Sequence, residues 1–321
     1  MFRLPTKRSD RMNIIFMGTP DFAVGTLKSL IDSDHQVKAV VTQPDKPKGR
    51  GKAMQATPVK EVAKEAGIPV LQPKRVRERE AIEELEKIEA DVIVVVAFGQ
   101  IIPKEILTMK RYGCINVHAS LLPKYRGAAP IQWAVIDGEK ESGVTTMQMD
   151  EGLDTGDMLL KEAVRLEKEE TGGSLFEKLS HTGAELLLKT LAGLEAGTIV
   201  PQKQGDSPTA YAKMLKKDMG RIDWEKSAAE IERLVRGLNP WPSAYTYLDG
   251  KTLKIWKADV IPENKGIQPG MVAVIAKDGL HIQTGDGVLV IRELQLEGKK
   301  RMEAAAFLRG YPIEEGKKLC C

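Results

Sequence analysis

Asp91-Val92-Ile93-Val94-Val95-Val96-Ala97-Phe98 is an almost unbroken run of β-branched residues. It is too short to cross a membrane and too uniformly apolar for a strand with one wet face. It predicts a strand covered on both sides, as at the centre of a parallel sheet whose crossovers pass over its faces. Working outward, Ile14-Ile15-Phe16-Met17 is a second such run. Gly18-Thr19-Pro20-Asp21 turns it into a helix, with Pro20 suited to the first turn and Asp21 to the positive end of the helix dipole. Val37–Thr42, residues 114–118 and Val144–Met149 read as further strands, and Ala81–Ile88 reads as a short helix. Thr171–Ala196 reads as a long one, with Leu175, Leu179, Leu186, Leu187 and Leu194 near helical spacing and Gly197 placed to end it. From Asn13 to about Glu162 this alternation is that of strands joined by helical crossovers, an α/β class with a mostly parallel sheet and helices on both faces.

After about Gly205 the texture changes. Ser227-Ala-Ala-Glu230 is a capping box opening a helix with an apolar stripe of Ile231, Leu234, Val235 and Leu238, stopped by Asn239-Pro240. Five short β runs follow, Ala244–Leu248, Leu253–Ala258, Met271–Ala276, Leu280–Thr284 and Val288–Leu296, punctuated by glycines. They predict a small closed or partly open barrel. The expected organisation is an unstructured extension over residues 1–11, a first domain over 12–205 and a smaller β-barrel domain over 206–321.

The whole chain has 321 residues, enough for about two domains of ~100–200 residues. Its 48 Lys and Arg nearly balance 45 Asp and Glu, so any nucleic-acid surface must be local. Three cysteines, two of them terminal, supply neither a disulfide framework nor a tetrahedral zinc site, and no metal is expected. The terminal Cys320-Cys321 lacks the context of a lipidation signal. No secretory leader or long apolar span is visible, so a cytoplasmic protein with no membrane partner is expected.

The chemistry-bearing stretch is Gly113-Cys-Ile-Asn-Val-His-Ala-Ser-Leu-Leu-Pro123. On a strand over 114–118, the period of two sets Asn116 and His118 on one side and Ile115 and Val117 on the other. Downstream, Asp150-Glu-Gly-Leu-Asp-Thr-Gly-Asp157 is a turn in which Gly152 and Gly156 flank Asp154 and allow close backbone approach. An amide, an imidazole and a carboxylate suit acyl transfer to an amine. Asn116 can hydrogen-bond a developing oxyanion. His118 can donate to the same oxygen or protonate the leaving nitrogen, while Asp154 orients it or takes the amine's proton. A locally paired histidine and an ordinary acidic turn are the blander alternatives. No serine-nucleophile elbow, phosphate loop or three-glycine dinucleotide fingerprint competes, and Cys114 should be buried rather than reactive.

Gln43-Pro-Asp-Lys-Pro-Lys-Gly-Arg-Gly-Lys52 sets Lys46, Lys48, Arg50 and Lys52 against Asp45 alone, in a glycine- and proline-rich loop expected to be mobile. Such a loop binds phosphates without reading sequence. It leaves the sheet edge expected to carry the site, after the second strand.

These motifs together resemble the methionyl-tRNA formyltransferase family, within the folate-dependent formyltransferases, over nearly the whole chain from Met12. The likeness rests on Ile14-Ile-Phe-Met-Gly-Thr-Pro-Asp-Phe22, Gln43-Pro-Asp45 with Gly49-Arg-Gly51, Asn116-Val-His118, Ser120-Leu-Leu-Pro123, Arg126-Gly-Ala-Ala-Pro-Ile-Gln132 and residues 147–158. In the second domain it rests on Tyr211-Ala-Lys213, Arg221-Ile-Asp-Trp224 and Asn239-Pro-Trp-Pro242. The resemblance implies a Rossmann-like first domain and an OB-like barrel. It implies that 10-formyltetrahydrofolate donates a formyl group to the α-amino group of methionyl initiator tRNA. It also implies that Asn116, His118 and Asp154 are catalytic and that Ser120, Leu121, Leu122 and Pro123 bind the folate. Arg50 would lead the tRNA contact, with Lys46, Lys48 and Lys52 beside it. A monomer is expected. Two alternatives stay open at this point, a formyltransferase for a nucleotide-linked amino sugar and a noncatalytic nucleotide- or RNA-binding protein.

Overall fold

The computed structural model describes residues 11–48, 53–277 and 279–319. In chain order its first elements are β1 (Asn13–Gly18), α1 (Asp21–Ile31), β2 (Gln36–Val41), β3 (Lys46–Lys48), β4 (Ala53–Gln55), α2 (Pro58–Glu65), β5 (Val70–Leu71), α3 (Arg79–Glu86), β6 (Val92–Val96), α4 (Lys104–Leu107), β7 (Cys114–His118), α5 (Pro130–Ile136), β8 (Glu141–Gln148), β9 (Met158–Arg165) and α6 (Gly172–Ala196). A seven-stranded sheet runs β5-β2-β1-β6-β7-β8-β9. Its first five strands are parallel, and β8 returns antiparallel against β7. The mostly parallel α/β sheet expected from the sequence is present, with β6 near its middle and buried at all five positions.

Local chemistry explains how β1 and β6 are set side by side. The Asp91 carboxylate, just before β6, accepts a hydrogen bond from the Asn13 N–H at 2.7 Å. At the other end of β1, a Cβ on Gly18 would stand 2.8 Å from the Ala23 Cβ and 3.0 Å from the Val96 carbonyl oxygen, so only glycine fits between the turn and β6. Thr19 then donates from its hydroxyl to the Phe98 carbonyl at 3.0 Å, joining the turns that follow β1 and β6.

The described residues cluster into two compact units. One comprises those up to Gly127 with Gly143–Val164 and Phe176–Tyr211; the other comprises Ala128–Ser142, Arg165–Leu175 and the chain from Ala212 onward. The second unit contains α7 (Ala228–Gly237), β10 (Ala244–Leu248), β11 (Lys251–Ile261), β12 (Val272–Ala276), β13 (Gly279–Gln283), β14 (Val288–Leu296), β15 (Met302–Glu303) and α8 (Ala304–Gly310). The capping box forms as read. The Ser227 hydroxyl accepts from the Glu230 N–H at 3.2 Å, and the Glu230 carboxylate accepts from the Ser227 N–H at 3.0 Å, a cap worth about 1 kcal/mol. The five β runs become an antiparallel sheet in the order β10-β11-β14-β13-β12, with β15 added to β14. Ile231, Val235, Leu253, Ile282 and Ile291 lie in its core.

One segment differs from the sequence reading, and one strand was not read from the sequence, each for a clear cause. Residues 43–52 were expected to be a mobile loop, but Lys46–Lys48 and Ala53–Gln55 pair as an antiparallel ribbon with Pro47 opposite Met54. Proline is tolerated there because a two-stranded ribbon leaves half of its backbone groups unpaired. Met158–Arg165, Met-Leu-Leu-Lys-Glu-Ala-Val-Arg, is rich in helix formers yet forms the last strand of the large sheet. A partly exposed edge strand is set by its neighbour more than by its own propensity. Residues 1–10 of the expected extension lie outside the described residues.

Candidate active site

Asn116 and His118 stand two positions apart on β7 and so share one face of the sheet, as the spacing predicts. They are only 8% and 6% exposed. Val117 turns the other way, toward Gly183 of α6. The Asn116 carboxamide makes no hydrogen bond to any described residue; its polar atoms are not sealed from solvent, so the amide is free to meet a ligand.

His118 is held at both nitrogens. Its Nε2 lies 3.1 Å from the Tyr125 carbonyl oxygen, which can only accept, so Nε2 carries the hydrogen. Its Nδ1 faces the Asp154 carboxylate at 3.7 Å. That is longer than a hydrogen bond and within ion-pair range, so a second ring proton would sit on Nδ1 against the carboxylate. The other Asp154 carboxylate oxygen accepts from the Gly127 N–H at 2.9 Å.

The path by which Asp154 reaches His118 was not visible in the sequence. Because β8 is antiparallel to β7, its end lies beside the start of β7, with Gln148 opposite Ile115 and Thr145 opposite His118. The turn after β8 must therefore fold back along the sheet. Gly156 makes this possible, since a Cβ there would fall 1.8 Å from the Gln148 carbonyl oxygen. Asp154 itself adopts a left-handed backbone with φ of 56°, a conformation Asp tolerates better than most residues but still strained.

Ser120, Leu121, Leu122 and Pro123 follow β7 directly. Ser120 and Leu122 are buried, and Leu122 packs with Met147 and Met158. Leu121 and Pro123 are half-buried. The Ser120 hydroxyl donates to the Lys124 carbonyl at 2.6 Å. Thr145 pins the stretch, donating to the Ser120 carbonyl at 2.7 Å and accepting from the Leu122 N–H at 3.0 Å. The Lys161 ammonium donates to the Leu122 carbonyl at 3.2 Å.

Of the expected basic contacts, Lys46 is exposed on β3, and Lys48 belongs to the same strand. Arg50 and Lys52 lie outside the described residues. Asp45, the only acid of that segment, already accepts from Lys60 at 2.6 Å and Gln72 at 2.7 Å. The Lys60 ammonium, and then the Gln72 amide, hold its carboxyl below the usual range. It therefore pairs with Lys60 of α2. Burial pushes the Cys114 thiol up to about 12, in keeping with an unreactive side chain.

A separate cavity of about 240 Å³ is lined by Lys74, Arg75, Arg77, Gln100 and Ile101, none of them anticipated. Gln100 shapes it by accepting from the Val76 N–H at 2.7 Å. Among the described residues no group of three or more His, Cys, Asp or Glu side chains could hold a metal ion, and no helix is long and apolar enough to cross a membrane.

Comparison with known proteins decides the family. The family model described as formyl transferase matches residues 12–191, and that described as formyl transferase, C-terminal domain, matches residues 214–312. The chain is 62% identical over 310 residues to the methionyl-tRNA formyltransferase of Lachnospira eligens, covering 95% of this chain and 98% of that one. It belongs to the methionyl-tRNA formyltransferase family. The family protein of Agathobacter rectalis is 60% identical over 305 residues, covering 95% of this chain and 98% of its own. Among solved structures, HypX from Aquifex aeolicus in complex with tetrahydrofolic acid shares the fold. Its TM-score is 0.62 at 20% identity, with 97% of this chain and 51% of that one covered.

Within this family member, the residues that sequence reasoning missed are those that hold the site: Tyr125, Gly127, Thr145, Lys161 and Gln204. Gly127 was visible only as part of the Arg126-Gly-Ala-Ala-Pro motif, without a role. Gln204, whose amide donates to the carbonyls of Asp154 and Gly156, has no local signature at all.

Proposed function

We propose that the chain transfers the formyl group of 10-formyltetrahydrofolate to the α-amino group of methionyl initiator tRNA, giving N-formylmethionyl-tRNA for translation initiation in the cytoplasm. The observation that carries the reading is the unpartnered Asn116 amide on the same strand face as an imidazole that confronts a carboxylate at 3.7 Å. The amine nitrogen attacks the formyl carbon, and the carbonyl oxygen becomes an oxyanion. Asn116 donates to that oxygen, a contribution of about 10²–10³ in rate. The amine loses one proton and the folate nitrogen gains one as its bond to carbon breaks. Asp154 accepts the first, directly or through water. His118 supplies the second or joins Asn116 at the oxyanion. All of this is chemistry of the chain's own side chains.

Ser120–Pro123 form the folate-binding stretch beside the catalytic strand. Residues 12–205 carry the chemistry and 206–321 the tRNA surface, in a monomer. The ribbon bearing Lys46 and Lys48, with Arg50 and Lys52, contacts tRNA phosphates. Arg50→Ala should weaken use of charged tRNA several-fold with folate binding unchanged, and its loss should reduce the salt dependence of tRNA binding. Unchanged kinetics with tRNA would remove the loop from the reading.

Offering radiolabelled 10-formyltetrahydrofolate in parallel to charged initiator tRNA, charged elongator tRNA, glycinamide ribonucleotide and a nucleotide-linked amino sugar tests the substrate. Label should enter only the charged initiator tRNA. Transfer to the amino sugar in the absence of tRNA, or no release of formyl to any acceptor, would replace this reading.

A further inference from the structure

Gln204 lies far from Asp154 in sequence, yet its side chain bridges the two loops that present the catalytic pair. Its amide nitrogen donates to the Asp154 carbonyl at 2.9 Å and to the Gly156 carbonyl at 2.7 Å. Its amide oxygen accepts from the Arg126 guanidinium twice, at 3.0 Å from Nε and 2.8 Å from Nη2. Arg126 also donates to the Gly205 carbonyl at 2.8 Å. On either side of Arg126, the Tyr125 carbonyl receives His118 Nε2 and the Gly127 N–H binds the Asp154 carboxylate. One carboxamide therefore ties the backbone of the carboxylate's turn to the segment that orients the imidazole.

This tie has work to do. Asp154 is in a left-handed conformation on a turn folded back over its own strand, and Tyr125 is left-handed too, with φ of 55°. Strained residues of this kind persist only where surrounding bonds over-determine them. Among the described residues the Gly127 N–H makes the one hydrogen bond to the Asp154 carboxylate, so the position of that carboxylate depends on the backbones of both loops. We infer that Gln204, relayed through Arg126, is a positioning residue that fixes the Asp154 carboxylate opposite His118 Nδ1. This rests on the proposed roles of His118 and Asp154. Gln204 touches no reacting atom; it acts by keeping the pair in register, and misplacement of such groups by about 1 Å costs up to ~10²-fold in rate.

The test is a double-mutant cycle in the full-length enzyme, read as kcat and KM for both substrates. Gln204→Leu removes every hydrogen bond of the side chain, whereas Gln204→Glu keeps an acceptor for Arg126 and removes both donations to the turn. Each should lower kcat roughly 10–100-fold, with both KM values within about threefold and the melting transition still cooperative. If Gln204→Leu does not fold, Gln204→Glu carries the comparison. In an Asp154→Asn background either change should add less than about threefold, because the group being positioned has already lost its charge. Full multiplicative losses in that background, or a kcat at the wild-type level for Gln204→Glu, would overturn the inference while leaving the catalytic reading intact. An Asp154→Asn enzyme that turns over within a few-fold of wild type would instead remove the catalytic reading, and the positioning role with it.

Discussion

Strands β6 and β7 lie side by side in one sheet, each five residues long and buried at every position. Their chemistry is opposite. Val92, Ile93, Val94, Val95 and Val96 need only neighbours, and they have them. Asn116 and His118 need partners, and Asn116 has none among the described residues, while His118 is bonded at Nε2 to the Tyr125 carbonyl and faces Asp154 with Nδ1 beyond hydrogen-bond distance. The lesson is that burial alone does not distinguish a structural strand from a catalytic one; the unmet demand for hydrogen bonds does.

The sharpest way to break the comparison is to remove the pair on the β7 side. His118→Ala or Asp154→Asn should cut turnover by about 10²–10⁴-fold, with the tRNA Kd from filter binding nearly unchanged. Turnover within a few-fold of wild type would mean that β7 is as structural as β6. Asn116→Leu should lower kcat by about 10²–10³-fold and yet leave the urea midpoint nearly unchanged, because the amide has no hydrogen bond within the fold to lose. A marked loss of stability would show the amide to be a structural group after all.

The mirror experiment belongs to β6. Ile93 is fully buried, so Ile93→Ala should cost about 2–5 kcal/mol in urea unfolding, with kcat per folded molecule close to wild type. A specific collapse of kcat there would couple the central strand to the chemistry and blur the contrast.

Cys114 sharpens the comparison most gently, since it shares β7 yet behaves like a residue of β6. Its hydrosulfide donates to the Ile106 carbonyl at 3.5 Å, and burial raises the thiol from 9.0 to about 12. The folded state thus holds its proton where the unfolded state releases it. The stabilisation this brings is complete below pH 9 and is lost as pH rises from there toward 12. Unfolding free energies of wild type and Cys114→Ala should therefore converge over that window, and in a Cys320→Ser, Cys321→Ser background a thiol reagent at pH 8 should label native Cys114 far more slowly than the urea-unfolded chain. Rapid native labelling would show that the end of β7 is open to solvent.

Much of this could be read along the chain. The strands at 14–17, 91–98 and 114–118, the capped helix after Ser227 and the β runs of the second unit came from local periodicity and turn chemistry. The pairing of His118 with Asp154 was expected from an imidazole on a strand and a carboxylate between two glycines. The ribbon at Lys46–Lys48 was not legible, because Pro47 and the glycines after it signal a turn and conceal the pairing with residues 53–55. Nor was the strand at Met158–Arg165, whose residues favour a helix taken alone. The cations at Lys74, Arg75 and Arg77 were passed over because their clustering around one cavity depends on Gln100 from another loop.

Residue order alone settles most of the strands and helices and which side chains can do chemistry, because β-branching, capping and the period of two act between near neighbours. Tertiary structure alone decides that β8 runs back along β7, that Asp154 is folded over to meet His118, and that Gln204 and Arg126 hold the two loops together. Those contacts join residues 27, 50 and 78 positions apart. At such separations a hydrogen bond leaves no pattern in the chain, and only the packed sheet brings donor and acceptor within reach.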